Sequence, residues 1–329
     1  MAATSTGSMR AIVLDAPGPA EALTIRRLPV PRPAEGWVLI AVRAFGLNRS
    51  ELHTRLGLAE GVVFPRVLGI EATGVVAECP GGEFAVGQQV MAMMGGMGRT
   101  FDGGYADYTC VPARQVLPFT SELDWATLGA VPEMLQTAYG SLTIGLAAEP
   151  GETILIRGGT SSVGMAAAVL ALQQDMTVLS TTRNPAKADA LHRLGVERVL
   201  IDDGDIAAQV RRIVPGGVDR ALELVGTPTL FDTLRATRLH GVVCFTGMLS
   251  NQWIVPEFNP GSIPRGVFLT SYSGDAADLP TPVLQGYLDR VANGQAVVPV
   301  SHVYDFDQIV EAHRAMEDSR ATGKLVVTT

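Results

Sequence analysis

Between residues 152 and 171 the chain reads ETILIRGGTSSVGMAAAVLA, a β-branched run that gives way to small residues and then to an alanine-rich segment. A strand feeding a helix through Gly158, Gly159, Thr160, Ser161, Ser162, Val163 and Gly164 is the geometry in which free backbone N–H groups and a helix dipole meet a phosphate. The usual dinucleotide fingerprint is G-x-G-x-x-G; here Gly159 and Gly164 hold the outer places and Ser161 the middle one. Taken alone, the turn also fits a second explanation, a tight bend with close helix packing. The residues that follow favour the first. From about residue 120 the chain alternates TILIR, a helix over 162–174, TVLST, a helix over 185–194, RVLI, a helix over 206–213, DRALEL, a helix over 228–237, GVVCFTG and a last strand near VFLTSY. Strands alternating with helices predict a parallel, doubly wound sheet. Asn184-Pro185 and Thr227-Pro228 each put a capping side chain ahead of a proline whose missing N–H costs nothing in the first turn.

The second strand of this pattern ends about twenty residues beyond the turn, where a ribose-reading residue belongs. An NAD site places an acid there to hold the ribose 2′-hydroxyl, and that acid would repel a 2′-phosphate. The chain instead offers Ser180, Thr181, Thr182 and Arg183, with Lys187 one helical turn later. A guanidinium flanked by hydroxyls gives charge-assisted hydrogen bonds to a 2′-phosphate, so the residues predict NADPH as cofactor. The plainer alternative is an exposed basic helix start.

Residues 9 to about 119 have a different texture, with short runs such as GWVLIAVRAFG, VLGIEATGVVAE and GQQVMAMM separated by glycine and proline, which reads as a mostly antiparallel β domain. After about residue 275 come one helix, a strand AVVPVSHVY, a helix DQIVEAHRAME and a final KLVVT, expected to return to that first domain. The expected division is therefore 9–119 with 275–329, and 120–274, preceded by residues 1–8 as a disordered or artificial leader; 329 residues suffice for two such domains. A net charge of -8 argues against nucleic acid or an anionic membrane as the main partner. The longest apolar run, 165–172, is too short to span a bilayer. Cys79, Cys110 and Cys244 are odd in number and scattered, which excludes a disulfide framework and a cysteine-rich zinc lobe and fits a reducing cytoplasm.

Several motifs in order, GLNRSELHTRLG, FPRVLGIEATGVV, FDGGYADYTCVPA, VPEMLQTAYGSL, the glycine turn, VDRALELVG and EAHRAMEDSRATGKLVV, make the chain resemble the medium-chain dehydrogenase/reductase superfamily and its zinc-free quinone oxidoreductase branch, from about Met9 onward. The resemblance implies an α/β architecture in which a Rossmann doubly wound sheet is inserted into a GroES-like β domain, with the active site in the cleft. In the zinc alcohol dehydrogenases of this superfamily a cysteine, a histidine and a cysteine hold the catalytic metal; the positions resembling them here are Asn48, Ile70 and Glu133. One carboxylate does not replace three ligands, so no metal is expected. Ser50, His53 and Glu71 persist, and the equivalents of Ser50 and His53 pass a proton in the zinc enzymes; here they are either a relay or inherited framework.

Without a Lewis acid to polarise a carbonyl, the expected hydride acceptors are quinones and C=C bonds conjugated to a carbonyl. The resemblance places Asn48 and Thr137 near the nicotinamide, beside Thr246, Gly247 and Met248; otherwise Asn48 satisfies a turn and Thr137 caps a helix. Enoyl-thioester reductases of the superfamily use a tyrosine shortly after the GLN segment, and RSELHTRLGLAEG has none, which leaves Tyr139 and His53 as proton candidates. Two departures stand out: Ser161 and Ser162 replace glycines common in the branch, and Asp202 sits where several relatives carry a tyrosine. Two functions stay open, an NADPH-dependent reductase of quinones or enones and an NADPH-binding protein of the same fold with a mainly structural role; a divergent alcohol dehydrogenase or enoyl reductase is a further alternative. A homodimer through the strand near 267–271 is expected, because superfamily members commonly pair that sheet edge.

Overall fold

A computed structural model describes residues 7–319 and 321–329. The chain divides into two compact units, one running to Glu133 and resuming over Asp275–Thr329, the other Met134–Gly274.

In chain order the first unit opens with β1 (Ser8–Leu14), β2 (Leu23–Pro29), β3 (Trp37–Gly46), α1 (Arg49–Arg55), β4 (Arg66–Val67), β5 (Glu71–Glu78), β6 (Gln89–Met93), β7 (Tyr108–Pro112), β8 (Val116–Pro118) and α2 (Trp125–Gly129). α3 (Pro132–Gly140) begins in the first unit and continues into the second, which carries β9 (Thr153–Arg157), α4 (Ser162–Leu172), β10 (Thr177–Thr182), α5 (Ala188–His192), β11 (Arg198–Ile201), α6 (Ile206–Ile213), β12 (Val218–Glu223), α7 (Thr227–Ala236), β13 (Thr237–Phe245) and β14 (Phe268–Ser271). The chain then returns with α8 (Thr281–Ala292), β15 (Val300–Asp305), α9 (Ile309–Glu317) and β16 (Lys324–Thr328).

The first unit is built on a seven-stranded sheet in the order β15-β16-β3-β5-β6-β8, with β7 also paired to β3, and a small sheet β2-β1-β4. Every pair in it except β15–β16 is antiparallel, and β16 lies directly against β3, so the last residues of the chain complete the sheet begun near residue 40. Val38, Ile40 and Val42 are buried at a spacing of two, one face of a pleated strand turned into the core. The run VLGIEATGVVAE does not continue as one strand. It breaks between β4 and β5 because Gly69 sits at φ +102, where an added Cβ would fall 2.6 Å from the Tyr105 ring.

Residues 120–133, expected with the second domain, belong to the first unit: α2 packs on β3, where a Cβ on Gly129 would lie 2.5 Å from that of Ala44, and Thr73 Oγ1 donates to Leu128 O (3.3 Å). Ser8, expected in the leader, begins β1 opposite Pro29. Gly7, also expected in the leader, accepts from Val30 N–H (3.0 Å), and residues 1–6 lie outside the described residues.

The second unit holds a six-stranded sheet in the order β11-β10-β9-β12-β13-β14, with every neighbouring pair parallel. This is the doubly wound order, in which ligands bind beyond the carboxyl ends of the strands. Gly164 to Ala171 of α4 are buried throughout, as the unbroken apolar sequence requires of a helix with no polar face. Asn184 caps as expected, its side chain accepting from the Ala186 N–H (3.0 Å). Thr227 does not: Gly226 is the N-cap of α7 at φ +123, a value unfavourable to a residue with a Cβ, and Thr227 donates its hydroxyl to Gln252 O (3.2 Å). Among the described residues no helix is long and apolar enough to cross a membrane.

Candidate active site

Gly158, Gly159 and Gly164 follow β9 in a turn with no room for side chains. A Cβ on Gly159 would lie 1.8 Å from Ser180 Oγ, and one on Gly164 would lie 2.6 Å from the Gly158 carbonyl oxygen. The turn is tied to β10, with Gly158 N–H donating to Thr181 Oγ1 (3.1 Å) and Gly159 N–H to Thr181 O (3.0 Å). Ser161 is the N-cap of α4: its hydroxyl accepts from Gly164 N–H (3.1 Å) and donates to Gly158 O (2.8 Å). A serine at the middle place of the fingerprint thus caps the helix that a glycine would leave uncapped. Thr160, Ser162 and Val163 remain partly exposed, and the first-turn N–H groups of Ser162 and Val163 have no intrahelical partner.

At the end of β10 the side chains of Thr181 and Thr182 are buried and engaged within the protein, Thr181 at the turn and Thr182 with Asn184 (N–H to Oγ1, 3.2 Å). Arg183 is exposed, and Lys187, in a 3₁₀ turn rather than the expected α-helix, is half-buried. Burial lowers the Lys187 pKa from its usual value, and the Arg183 charge lowers it further.

The loop after β13 is laid against the end of β12. Thr246 and Gly247 both donate backbone N–H to Glu223 O (3.0 and 3.1 Å), and a Cβ on Gly247 would fall 2.6 Å from Leu224 O. Thr246 Oγ1 meets Ser141 Oγ at 3.0 Å. Met248, Thr137 and Tyr139 are partly exposed in the same unit; Thr137 Oγ1 donates to Gln136 Oε1 (3.2 Å), and Tyr139 O accepts from Thr143 Oγ1 (2.8 Å).

The first unit brings together what the sequence separates most widely. Asn48 is the N-cap of α1 and forms a capping box with Glu51. Its Nδ2 donates to Glu71 Oε1 (2.9 Å) and Glu51 Oε1 (3.3 Å), and its Oδ1 accepts from the Lys324 ammonium. Lys324 also pairs with Glu71 (2.8 Å) and Glu133 (3.1 Å), and Glu71 Oε2 accepts from Glu133 N–H (2.7 Å). Ile70 contributes only its backbone N–H, to Glu51 Oε1 (2.9 Å).

This donor set does not suit a zinc ion. Lys324 holds the space between Asn48 and Glu133, Ile70 offers no ligand atom, and both Asn48 amide hydrogens are turned to carboxylates. Among the described residues no group of three or more His, Cys, Asp or Glu could hold a metal.

Burial alone would lower the Lys324 pKa, but the charges and hydrogen bonds of Glu71 and Glu133 outweigh it and hold the pKa above its usual value. Burial raises the pKa of Glu71, against the pull of Lys324, and raises that of Glu51 to about 7, against the Ile70 N–H. His53, on α1 with Asn48 just before it, is buried. Asn48 and His53 therefore belong to one capped helix of the first unit, and Tyr139 belongs to the other unit.

Sequence reasoning missed a buried charge network at the carboxyl ends of the parallel strands. Arg157, the last residue of β9, makes a two-point pair with Asp202 (2.8 and 2.8 Å) and another contact with Asp232 (2.7 Å). Beside it the Glu223 carboxylate accepts from Thr233 Oγ1 (2.5 Å), Thr229 Oγ1 (3.0 Å) and the N–H groups of Val225 (2.7 Å) and Gly226 (3.1 Å). Asp202, set down from the sequence only as a departure, is thus the acid that neutralises Arg157 behind the turn. The one available signal was an arginine closing an otherwise apolar strand.

Residues 34–121 match the family profile of the alcohol dehydrogenase GroES-like domain, and residues 194–327 that of zinc-binding dehydrogenases. The latter span contains none of Asn48, Ile70 and Glu133. The chain is 26% identical over 326 residues to a probable quinone oxidoreductase of Schizosaccharomyces pombe, covering 94% of each protein. It is 26% identical over 341 residues to the quinone oxidoreductase of Homo sapiens, covering 99% of each. A mycobacterial structure complexed with NADPH shares the fold at a TM-score of 0.87, with 24% identity over 98% of this chain and 100% of that one. Two family profiles in succession, and relatives aligned from end to end, make this chain an oxidoreductase of the medium-chain dehydrogenase/reductase superfamily, in its quinone oxidoreductase branch.

Proposed function

We propose that the protein is an NADPH-dependent reductase that passes a hydride to a quinone or an α,β-unsaturated carbonyl without catalytic zinc. The observation that carries this reading is the Lys324 ammonium held by Asn48, Glu71 and Glu133 where a metal would need ligands. Selection of NADPH is supported by two cations, Arg183 and Lys187, in the segment that follows β10, with no acid at the ribose position. The NADPH complex of the mycobacterial relative agrees with it.

When bound, the cofactor supplies the hydride. An enone would take that hydride at its β-carbon and need one proton to complete the product. The N–H groups of Ser162 and Val163 and the α4 dipole would hold the pyrophosphate, with Gly159, Thr160, Ser161 and Gly164 giving the close approach. Thr181 and Thr182 brace the strand end, beyond which Arg183 and Lys187 would hold the 2′-phosphate. Thr137, Thr246, Gly247 and Met248 would line the nicotinamide end. Asn48 has no amide hydrogen to spare, so its part is to frame the site through its remaining acceptor lone pair, and His53 or Tyr139 delivers the proton.

The test is turnover across a panel of quinones and enones, followed by loss of NADPH absorbance. Reduction of at least one class, with saturated primary alcohols oxidised poorly, is expected. NADPH binding with no turnover anywhere on the panel would favour the binding-protein reading instead.

A further inference from the structure

Arg99 is a partly buried cation held next to α1 without a carboxylate. One terminal nitrogen donates to Ser50 Oγ at 2.6 Å; its Nε is buried with no hydrogen-bond partner; and among the described residues no carboxylate pairs with it. The nearest acid in sequence, Asp102, is already paired with Arg66 (2.8 Å) and accepts from Val67 N–H (3.1 Å).

The loop that carries Arg99 is rigidly placed. A Cβ on Gly98 would lie 2.8 Å from Gly69 N, and one on Gly103 would lie 2.2 Å from Gly69 O. Met97 is buried, and Phe101 packs edge-on against Trp37 at 5.5 Å between ring centroids. Arg99 N–H and Thr100 N–H both return to Gly96 O (3.0 and 2.8 Å), which closes a tight turn. Ser50 is the second residue of α1, two beyond Asn48, and shares a helix face with His53 at i, i+3.

A guanidinium with its Nε shut from water, a neutral hydroxyl as its hydrogen-bond partner and no carboxylate beside it keeps an unbalanced charge, and a loop that holds it so is a preorganised site for an anion. The planar fork with one hydroxyl beside it matches a single carboxylate, taken in two-point fashion. Resting on the hydride-transfer reading above, we propose that Arg99 and Ser50 form a subsite for a carboxylate carried by the substrate, so that the preferred acceptor is an acidic enone or quinone.

The test compares β-acetylacrylate with its methyl ester in NADPH-dependent reduction by wild type, Arg99→Gln and Arg99→Lys. A hydrogen bond to a charged group sets the scale, so Arg99→Gln should lower kcat/KM for the acid about tenfold more than for the ester, and Arg99→Lys should recover part of the difference. A calorimetric titration with levulinate, a saturated acid that accepts no hydride at carbon–carbon bonds, reads the same subsite without chemistry. Levulinate should bind wild type about tenfold more tightly than Arg99→Gln.

An acid-to-ester ratio and a levulinate affinity that do not change with Arg99 would overturn the proposal. So would a loss of NADPH affinity in Arg99→Gln as large as the loss for the acid, which would assign the guanidinium to the cofactor. If neither enone is reduced, the hydride-transfer reading fails, and the levulinate titration still decides the subsite.

Discussion

Arg183 is the residue on which cofactor choice should turn. NADPH and NADH differ only in the 2′-phosphate, so discrimination must come from groups that meet it. A charged hydrogen bond contributes about 1.5–3 kcal/mol, and solvent exposure of Arg183 places its contribution at the lower end. Arg183→Ala should raise the Kd for NADPH about tenfold and leave that for NADH nearly unchanged, as read by fluorescence titration. Equal weakening of both cofactors would reduce Arg183 to a solvated helix start. Glu51 makes a second prediction at this scale. Burial raises its pKa to about 7, from the usual carboxylate value of 4.5. Between those two values the unfolded chain has lost the proton that the folded protein keeps, so stability falls as pH rises through this window and levels off above it. The loss sums to about 3 kcal/mol, and Glu51→Gln should flatten the slope of unfolding free energy with pH across that range. A slope that persists in the variant would place the titration on another group. Neither Glu51 nor Lys324 announced itself in the sequence. Lys324 meets Asn48 across 276 residues, and only the pairing of β16 with β3 brings them together.

At the scale of elements, the parallel sheet was legible because each strand and helix states its own period and punctuation. The boundaries were less so. β13 starts at Thr237, four residues ahead of GVVCFTG, because RLH carries no strand signal of its own and is extended by its neighbours. Thr227 looked like a cap, and the backbone at Gly226 took that place. The fingerprint looked weakened at Ser161, yet the serine supplies a hydroxyl where the helix needs one. At the far edge of the sheet, β14 pairs only with β13 among the described residues, and Phe268 is 55% exposed. An open apolar edge invites another strand, and we expect β14 to pair with its copy in a homodimer. Sedimentation at micromolar concentration should show a dimer, and Phe268→Lys should shift it toward monomer. Monomer alone in the wild type would remove this expectation.

For the whole molecule, the two-domain pattern and the superfamily were readable from motifs in order, because each motif is a local solution to a turn, a cap or a close approach. What was not readable was how charge is balanced in the interior. The Arg157 network and the Lys324 cage are both assembled from residues far apart in the chain, and composition shows neither. The central claim is that an ammonium stands where this superfamily's zinc enzymes keep a metal, and that hydride transfer proceeds without one. The most direct measurement is elemental analysis of the purified protein coupled to quinone-dependent NADPH oxidation before and after exhaustive chelation. The account predicts no stoichiometric zinc and an unchanged rate after chelation; about one zinc per chain, removed together with the activity, would contradict it.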